Sequence, residues 1–175
     1  MTCTPPPCET VTDYITGVQK PDTGSEANRQ EMEKVLVEIK GYDRSEIEVD
    51  TPIVLEMEDG PYRSKLDLVV RVAGRRFMVI KCAPGSLASR EREVIAAARL
   101  MESYQIPMAV ASDGRTAQVW DTVSGKRLGE GMDAVPSRRQ AEKMFRPDTV
   151  VALDESLRPR LQLIFRSYDS MNVNR

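Results

Sequence analysis

The hydrophobic pattern of the chain is densest in two apolar runs set back to back. Residues 65–73 and 76–82, joined at Gly74, read as adjacent β-strands of a hairpin. The first run carries Leu66, Leu68, Val69, Val70 and Val72 around a single acid, Asp67. The second, Phe77, Met78, Val79 and Ile80, is apolar until Lys81. An unpaired charge buried in such a strand costs several kcal/mol. Asp67 and Lys81 therefore read either as strand-end groups that reach water or each other, or as the charged centre of a phosphodiester-cleaving site.

The flanking pattern supplies the remaining elements. Residues 1–24, with four prolines and no sustained periodicity, read as a flexible N-terminal tail with a short helix near 11–18. Ser25 is placed to cap a helix over 25–40, whose apolar positions Met32, Val35, Leu36 and Ile39 follow the spacing of one buried face. Gly41 ends it. Residues 48–58 form a strand with Val49, Ile53, Leu55 and Met57 on one face, and Pro52 marks it as an edge strand or a bulged one. Pro84-Gly85 breaks the chain before a helix over 88–105, buried along Val94, Ile95, Ala97, Ala98 and Met101. Strands follow at 107–111 and 117–123, then a basic helix at 138–145, an apolar piece at 150–153 and a last helix at 155–168. Strand, helix and strand over 76–107 are long enough for a parallel crossover, whereas the short turns before it give an antiparallel meander. The expectation is an α/β (α+β) fold: a mixed sheet with core order αβββαβ, helices on both faces and extra C-terminal helices. The domain boundaries expected are a tail 1–24, a core 25–128 and a helical extension 129–175 packed on that core.

Composition narrows the chemistry. The 175 residues include no histidine, which removes histidine general bases, serine–histidine triads and the usual catalytic zinc sites. Cys3, Cys8 and Cys82 form no even framework, so a reducing cytoplasm is expected, with Cys82 a candidate reactive thiol. No apolar run approaches a membrane span, and the start, Met1-Thr-Cys-Thr-Pro-Pro-Pro, has no secretory pattern. Net charge is −2, but unevenly spread: residues 1–60 carry 14 acids and 5 bases, and residues 61–100 carry 3 acids and 9 bases. The basic block coincides with the hairpin and the helix after it, where a polyanion would approach. Arg63, Lys65, Arg75, Arg76, Arg90 and Arg92 are its candidate contacts.

The order of elements, and the residues at fixed places in them, resemble the restriction-endonuclease-like PD-(D/E)xK superfamily, and within it the N-terminal domain of type I restriction enzyme R subunits. The carriers are Ser25-Glu26-x-x-Arg29-Gln30 opening the first helix and Gly41-Tyr42 closing it, Lys65-Leu66-Asp67-Leu68-Val69-Val70, Val79-Ile80-Lys81-Cys82-Ala83-Pro84, Tyr104-Gln105-Ile106-Pro107, and Ser112-Asp113-Gly114. The resemblance implies a DNA endonuclease that holds Mg²⁺ through a first-helix Glu, a second-strand Asp and a Glu-x-Lys on the third strand. Carried over, the catalytic residues are Glu26, Asp67 and Lys81, with Mg²⁺ on Asp67, Glu26 and a further acid. The third-strand acid is missing, because Val79, or Ile80 in the neighbouring register, stands in its place. A carboxylate from the next helix, Glu91 or Glu93, would have to replace it.

Hairpin register tests this assignment independently. With a two-residue turn at Gly74-Arg75, Asp67 falls opposite Cys82 and Lys81 points to the other face. A three-residue loop or a bulge is needed to bring Asp67 and Lys81 together. Three functional readings emerge: a nuclease-like domain that binds DNA with catalysis lost, an active Mg²⁺-dependent endonuclease using Asp67, Lys81 and a relocated Glu, and a protein-interaction domain or homo-oligomer without nucleic acid. No P-loop is present, so the ATP-driven motor of a full R subunit is not in this chain.

Overall fold

A computed structural model describes residues 10–173. It is a mixed α/β structure, as the pattern predicts, built on a six-stranded sheet. The strands are β3 (Ile47–Met57), β4 (Gly60–Val72), β5 (Arg75–Cys82), β6 (Met108–Ser112), β7 (Ala117–Asp121) and β8 (Arg127–Glu130), in that spatial order. Every neighbouring pair is antiparallel except β5–β6, whose parallel pairing is made possible by the crossover helix α2 (Glu91–Leu100). Pro52 sits on β3, an edge strand, where its missing N–H interrupts no central ladder. The four-residue β8, which the apolar pattern does not reveal, forms the other edge.

Helices cover both faces. On one, α2 and α4 (Arg158–Val173) bury Val94, Ala97, Leu161 and Phe165 against Val69, Val79 and Trp120. On the other, α1 (Gly24–Lys34) and the turn after it bury Met32 and Leu36, and α3 (Arg138–Met144) with its C-cap buries Ala141 and Phe145, against Leu68, Val70, Met78 and Ile80. No helix of the described residues is long and apolar enough to cross a membrane.

Three local expectations are corrected. Residues 10–21 form a small hairpin, β1 (Thr10–Thr12) and β2 (Gln19–Pro21), rather than a tail with a short helix. Its loop is anchored because Asp13, 1% exposed, accepts from Thr16 and pairs with Arg29. Residues 1–9, with Cys3 and Cys8, lie outside the described residues. The cap of α1 is Thr23, not Ser25, and after Lys34 the chain passes into a π-helical turn, Val35–Ile39. That turn inserts a residue and rotates the positions after it, so Ile39 is 72% exposed although the helical spacing places it on the buried face. The third correction lies in β3. Ile53 and Leu55 belong to one core, whereas Ile47 and Val49 pack into the other. On β4, Leu66 and Leu68 divide in the same way. The inside–outside sense thus reverses at Asp50 and Asp67, which face each other where the β3–β4 register is continued. Asp50 has φ 51°, a left-handed conformation that interrupts the pleat.

Candidate active site

The centre is assembled by the β4–β5 hairpin. Ala73 and Gly74 both have positive φ, 50° and 76°, the requirement of a tight two-residue turn of the primed kind, so Val72 pairs with Arg75. With that register unbroken, Asp67 would face Ile80. The register instead shifts between Val70 and Arg71: Arg71 pairs with Arg76, Val70 with Met78, and Phe77 is the extra residue. Continued past Leu68–Ile80, the shifted register sets Asp67 across from Lys81. This is the bulge that the lysine assignment requires. The two groups meet: Lys81 Nζ lies 3.8 Å from Asp67 Oδ2, and the Cys82 N–H donates to that oxygen at 2.7 Å.

The helix after the hairpin brings in a further acid. Of the two candidates it is Glu93, 1% exposed, whose Oε1 lies 3.3 Å from Lys81 Nζ and whose Oε2 lies 3.5 Å from Arg90 Nη1. Glu91 is only half-buried, two residues earlier on the helix surface. Val79 is 1% exposed in the core beneath α2, the helix from which Glu93 approaches Lys81. A pocket of about 280 Å³ opens beside these groups, lined among others by Ser25, Lys65, Asp67, Lys81, Arg90 and Asp169.

Asp169 belongs to α4 and was not foreseen. It is 4% exposed and accepts from the Tyr62 hydroxyl at 2.7 Å. Its signal in the sequence is its place four residues after Phe165 and eight after Leu161, an acid on the helix's buried stripe.

Electrostatics set the protonation of the centre. Burial alone lowers the Lys81 pKa, but the carboxylates of Asp67, Glu93 and Asp169 outweigh it and hold the ammonium above its ordinary value. Lys81 is therefore a cation, suited to facing phosphate oxygen rather than to taking a proton. Burial raises the Asp67 carboxyl, and Lys81 with the Cys82 N–H offsets part of that. Cys82 is 3% exposed, and burial together with Asp67 pushes its thiol well up, so a thiolate role for Cys82 is not supported by its surroundings.

Beside the centre lies a second charged cluster on α1. Arg29 faces Glu26 at 2.6 Å, Asp50 at 2.9 Å, Asp13 at 3.1 Å and Glu33 at 3.4 Å. Glu26 also accepts from Gln30, so the structure engages this first-helix acid with Arg29 and Gln30. Asp50 further pairs with Lys20 and Lys65; burial alone would raise its pKa, but these cations and Arg29 hold it at about 2.

The candidate nucleic-acid residues divide. Lys65 and Arg90 line the pocket, and Arg63 and Arg92 are exposed nearby in sequence. Arg75 and Arg76 stand at the hairpin tip, roughly 20 and 16 Å along the strand from Lys81 at about 3.3 Å per residue. There Arg76 is held by Glu48 at 2.7 Å and Glu102 at 3.1 Å.

The residues suit a hard cation in one respect. Asp67 and Glu93 offer two carboxylates flanking Lys81, and Mg²⁺ is commonly held by one or two carboxylates with water and substrate phosphate. Among the described residues no group of three or more Asp, Glu or Cys side chains is placed to hold an ion by itself.

Comparison with known proteins gives one result. A family model described as type I restriction enzyme R protein N terminus (HSDR_N) matches residues 24–136. No curated protein and no solved structure matches the chain.

Proposed function

The chain belongs to the family of type I restriction enzyme R protein N termini, and from that premise we propose that it is a restriction-endonuclease-like domain that hydrolyses DNA phosphodiesters with Mg²⁺. The observation that carries the reading is the placement of Glu93 against Lys81 across from Asp67, which restores a second acid where the third strand has Val79. In this reading α1, β3, β4, β5, α2 and β6 are the αβββαβ core.

Asp67 and Glu93 are the groups that would hold the ion. A bound Mg²⁺ would supply an activated water and neutralise charge developing on the phosphate. Lys81, kept protonated by its carboxylate neighbours, faces a phosphate oxygen and stabilises its negative charge. Lys65 and Arg90 at the pocket rim attract the backbone on either side. The starts of α1 and α2, carrying Glu26 and Glu93 in their first turns, add partial positive charge at the same end of the sheet.

The test is cleavage of supercoiled plasmid and single-stranded DNA with Mg²⁺ or Mn²⁺. Asp67→Ala, Lys81→Ala and Glu93→Gln should each reduce cutting on the order of 10²-fold, and Glu91→Gln should leave it unchanged. Cutting that survives Glu93→Gln refutes the assignment. A second reading, DNA binding with catalysis lost, is favoured by Val79 and by the lack, among the described residues, of three acids grouped to hold an ion. Salt-sensitive binding without cutting would select it.

A further inference from the structure

A second cavity, of about 350 Å³, opens at the other end of the sheet, where β5 and β6 begin and β7 ends. It shares no lining residue with the Lys81 pocket. Phe77, in its lining, lies four residues before Lys81 on β5, roughly 13 Å along the strand at about 3.3 Å per residue. The buried part of the lining includes Phe77, Phe145 and Met108, with the two rings 5.4 Å apart. Hydrogen bonds fix one wall. The Gln105 N–H donates to the Val151 carbonyl at 2.8 Å, its side chain to the Ala152 carbonyl at 3.1 Å, and Arg75 to the Pro147 carbonyl at 2.7 Å.

The rim is apolar and open. Of the ten large apolar side chains exposed among the described residues, four line this one cavity: Val123, Leu128, Met144 and Val151, each between 43% and 55% exposed. Exposed apolar side chains gathered around a cavity mark a surface that another molecule covers.

Shape and charge indicate which molecule. An apolar cavity of about 150 Å³ is enough for a benzene ring, so this one has room for more than one side chain. Met144 and Leu128, each more than half exposed on its rim, are side chains of the kind that would fill it. The lining also carries one cation and one anion, Arg146 and Asp121. Arg146 is exposed and has no ion pair among the described residues. Asp121 accepts from Ser124 through one oxygen only, and Arg99 beside it gives its donors to the Thr122 and Val123 carbonyls. A two-fold contact needs one patch that complements itself. This patch holds the cavity and the side chains to fill it, the cation and the anion to meet it.

We infer that two copies of the chain associate about a two-fold axis at this end of the sheet, with Met144 and Leu128 of each entering the cavity of the other and Arg146 of each meeting Asp121 of the other. The association leaves the Lys81 pocket, at the opposite end, uncovered, and it does not depend on the metal-dependent reading.

The test is sedimentation velocity of the full chain over a range of micromolar concentrations. Wild type should sediment at twice the 19.6 kDa chain mass. Met144→Glu and Leu128→Glu should each weaken self-association about tenfold or more. Arg146→Asp sets two acids against each other and Asp121→Arg two bases, so each variant alone should stay a single chain. Mixed in equal amounts they should pair, because both contacts then join opposite charges. Circular dichroism and a thermal melt check each fold. Should Asp121→Arg not fold, Asp121→Asn, which keeps an acceptor for Ser124, should weaken association about threefold. A wild type that remains a single chain at high micromolar concentration would overturn the inference, whatever other protein the patch then binds. A dimer untouched by Met144→Glu and Arg146→Asp would overturn it too, since the contact would lie elsewhere. So would two folded charge variants that fail to pair when mixed.

Discussion

Glu33 offers a quantitative test of the charged cluster on α1. It is fully buried, neither carboxylate oxygen has a side-chain hydrogen-bond partner within the described residues, and its nearest cation is Arg29 Nε at 3.4 Å. Burial and repulsion by Asp13 and Glu26 outweigh Arg29 and push its pKa up to about 7, from 4.5. A carboxyl whose folded pKa lies above its unfolded value binds its proton more tightly in the folded state. Its ionisation therefore costs no stability below pH 4.5, costs progressively more as pH rises from 4.5 to 7, and is fully felt above 7. At ~1.4 kcal/mol per pKa unit the full cost is about 3 kcal/mol. Glu33→Gln removes the titration while keeping the shape and neutral charge of the protonated acid. The variant should match wild type within about 1 kcal/mol at about pH 5 and exceed it by about 3 kcal/mol at about pH 8. The assay is urea unfolding at both pH values, followed by the fluorescence of Trp120, the single tryptophan and 1% exposed. With a urea m-value of about 2 kcal/mol/M, the midpoint at the higher pH should rise by about 1.5 M. A variant no more stable than wild type at the higher pH, or equally stabilised at both pH values, would refute the reasoning.

Three further outcomes are expected. Ala73→Gly should stabilise the protein by about 1 kcal/mol, read as a rise in melting temperature, because Ala73 occupies φ 50° in the hairpin turn. Iodoacetamide should leave Cys82 unmodified in the native protein and label it in urea, when the sites are mapped by mass spectrometry; rapid native labelling would contradict its burial and raised pKa. In DNA-binding titrations Arg90→Ala, at the pocket, should weaken binding and reduce the salt slope by about one, whereas Arg76→Ala, at the distant hairpin tip, should change neither.

The legibility of the sequence tracks the range of the forces involved. The strands carrying Asp67 and Lys81 are legible because apolar runs and a turn are local signals. The bulge at Phe77 is legible conditionally: arithmetic on the hairpin shows that the two charges cannot meet without it, and the register shift is found between Val70 and Arg71. Choosing Glu93 over Glu91 is not legible, since it depends on how α2 is rotated over the sheet. Asp50 at φ 51° is a conformational exception that no composition announces. Glu26, Arg29, Gln30 and Glu33 follow the spacing of one helix face, and that face is buried. Periodicity of apolar residues overlooks such a polar stripe, as it overlooks Asp169 on α4. Both surround the predicted centre and neither carries a local motif.

The distribution of these charges itself argues for a site. A buried ion network is seldom more stable than apolar side chains of the same volume, and Glu33 alone costs the fold about 3 kcal/mol at neutral pH. A sheet of this size could close its end with leucine and valine, as both faces already do around Val69 and Leu68. Instead one end collects Asp67, Lys81, Glu93 and Asp169 from a hairpin and two helices, with Arg29 and four acids beside them. The backbone departs from regular geometry at the same place, in the left-handed Asp50 opposite Asp67, and Phe77 shifts the register that sets Lys81 against it. Local rules broken together, at one place and at an energetic cost, mark where selection acted on something other than stability. The hairpin tip makes the contrast: Arg76 there is matched by Glu48 and Glu102. Charges at the tip close on one another, whereas those at the Lys81 end line a pocket.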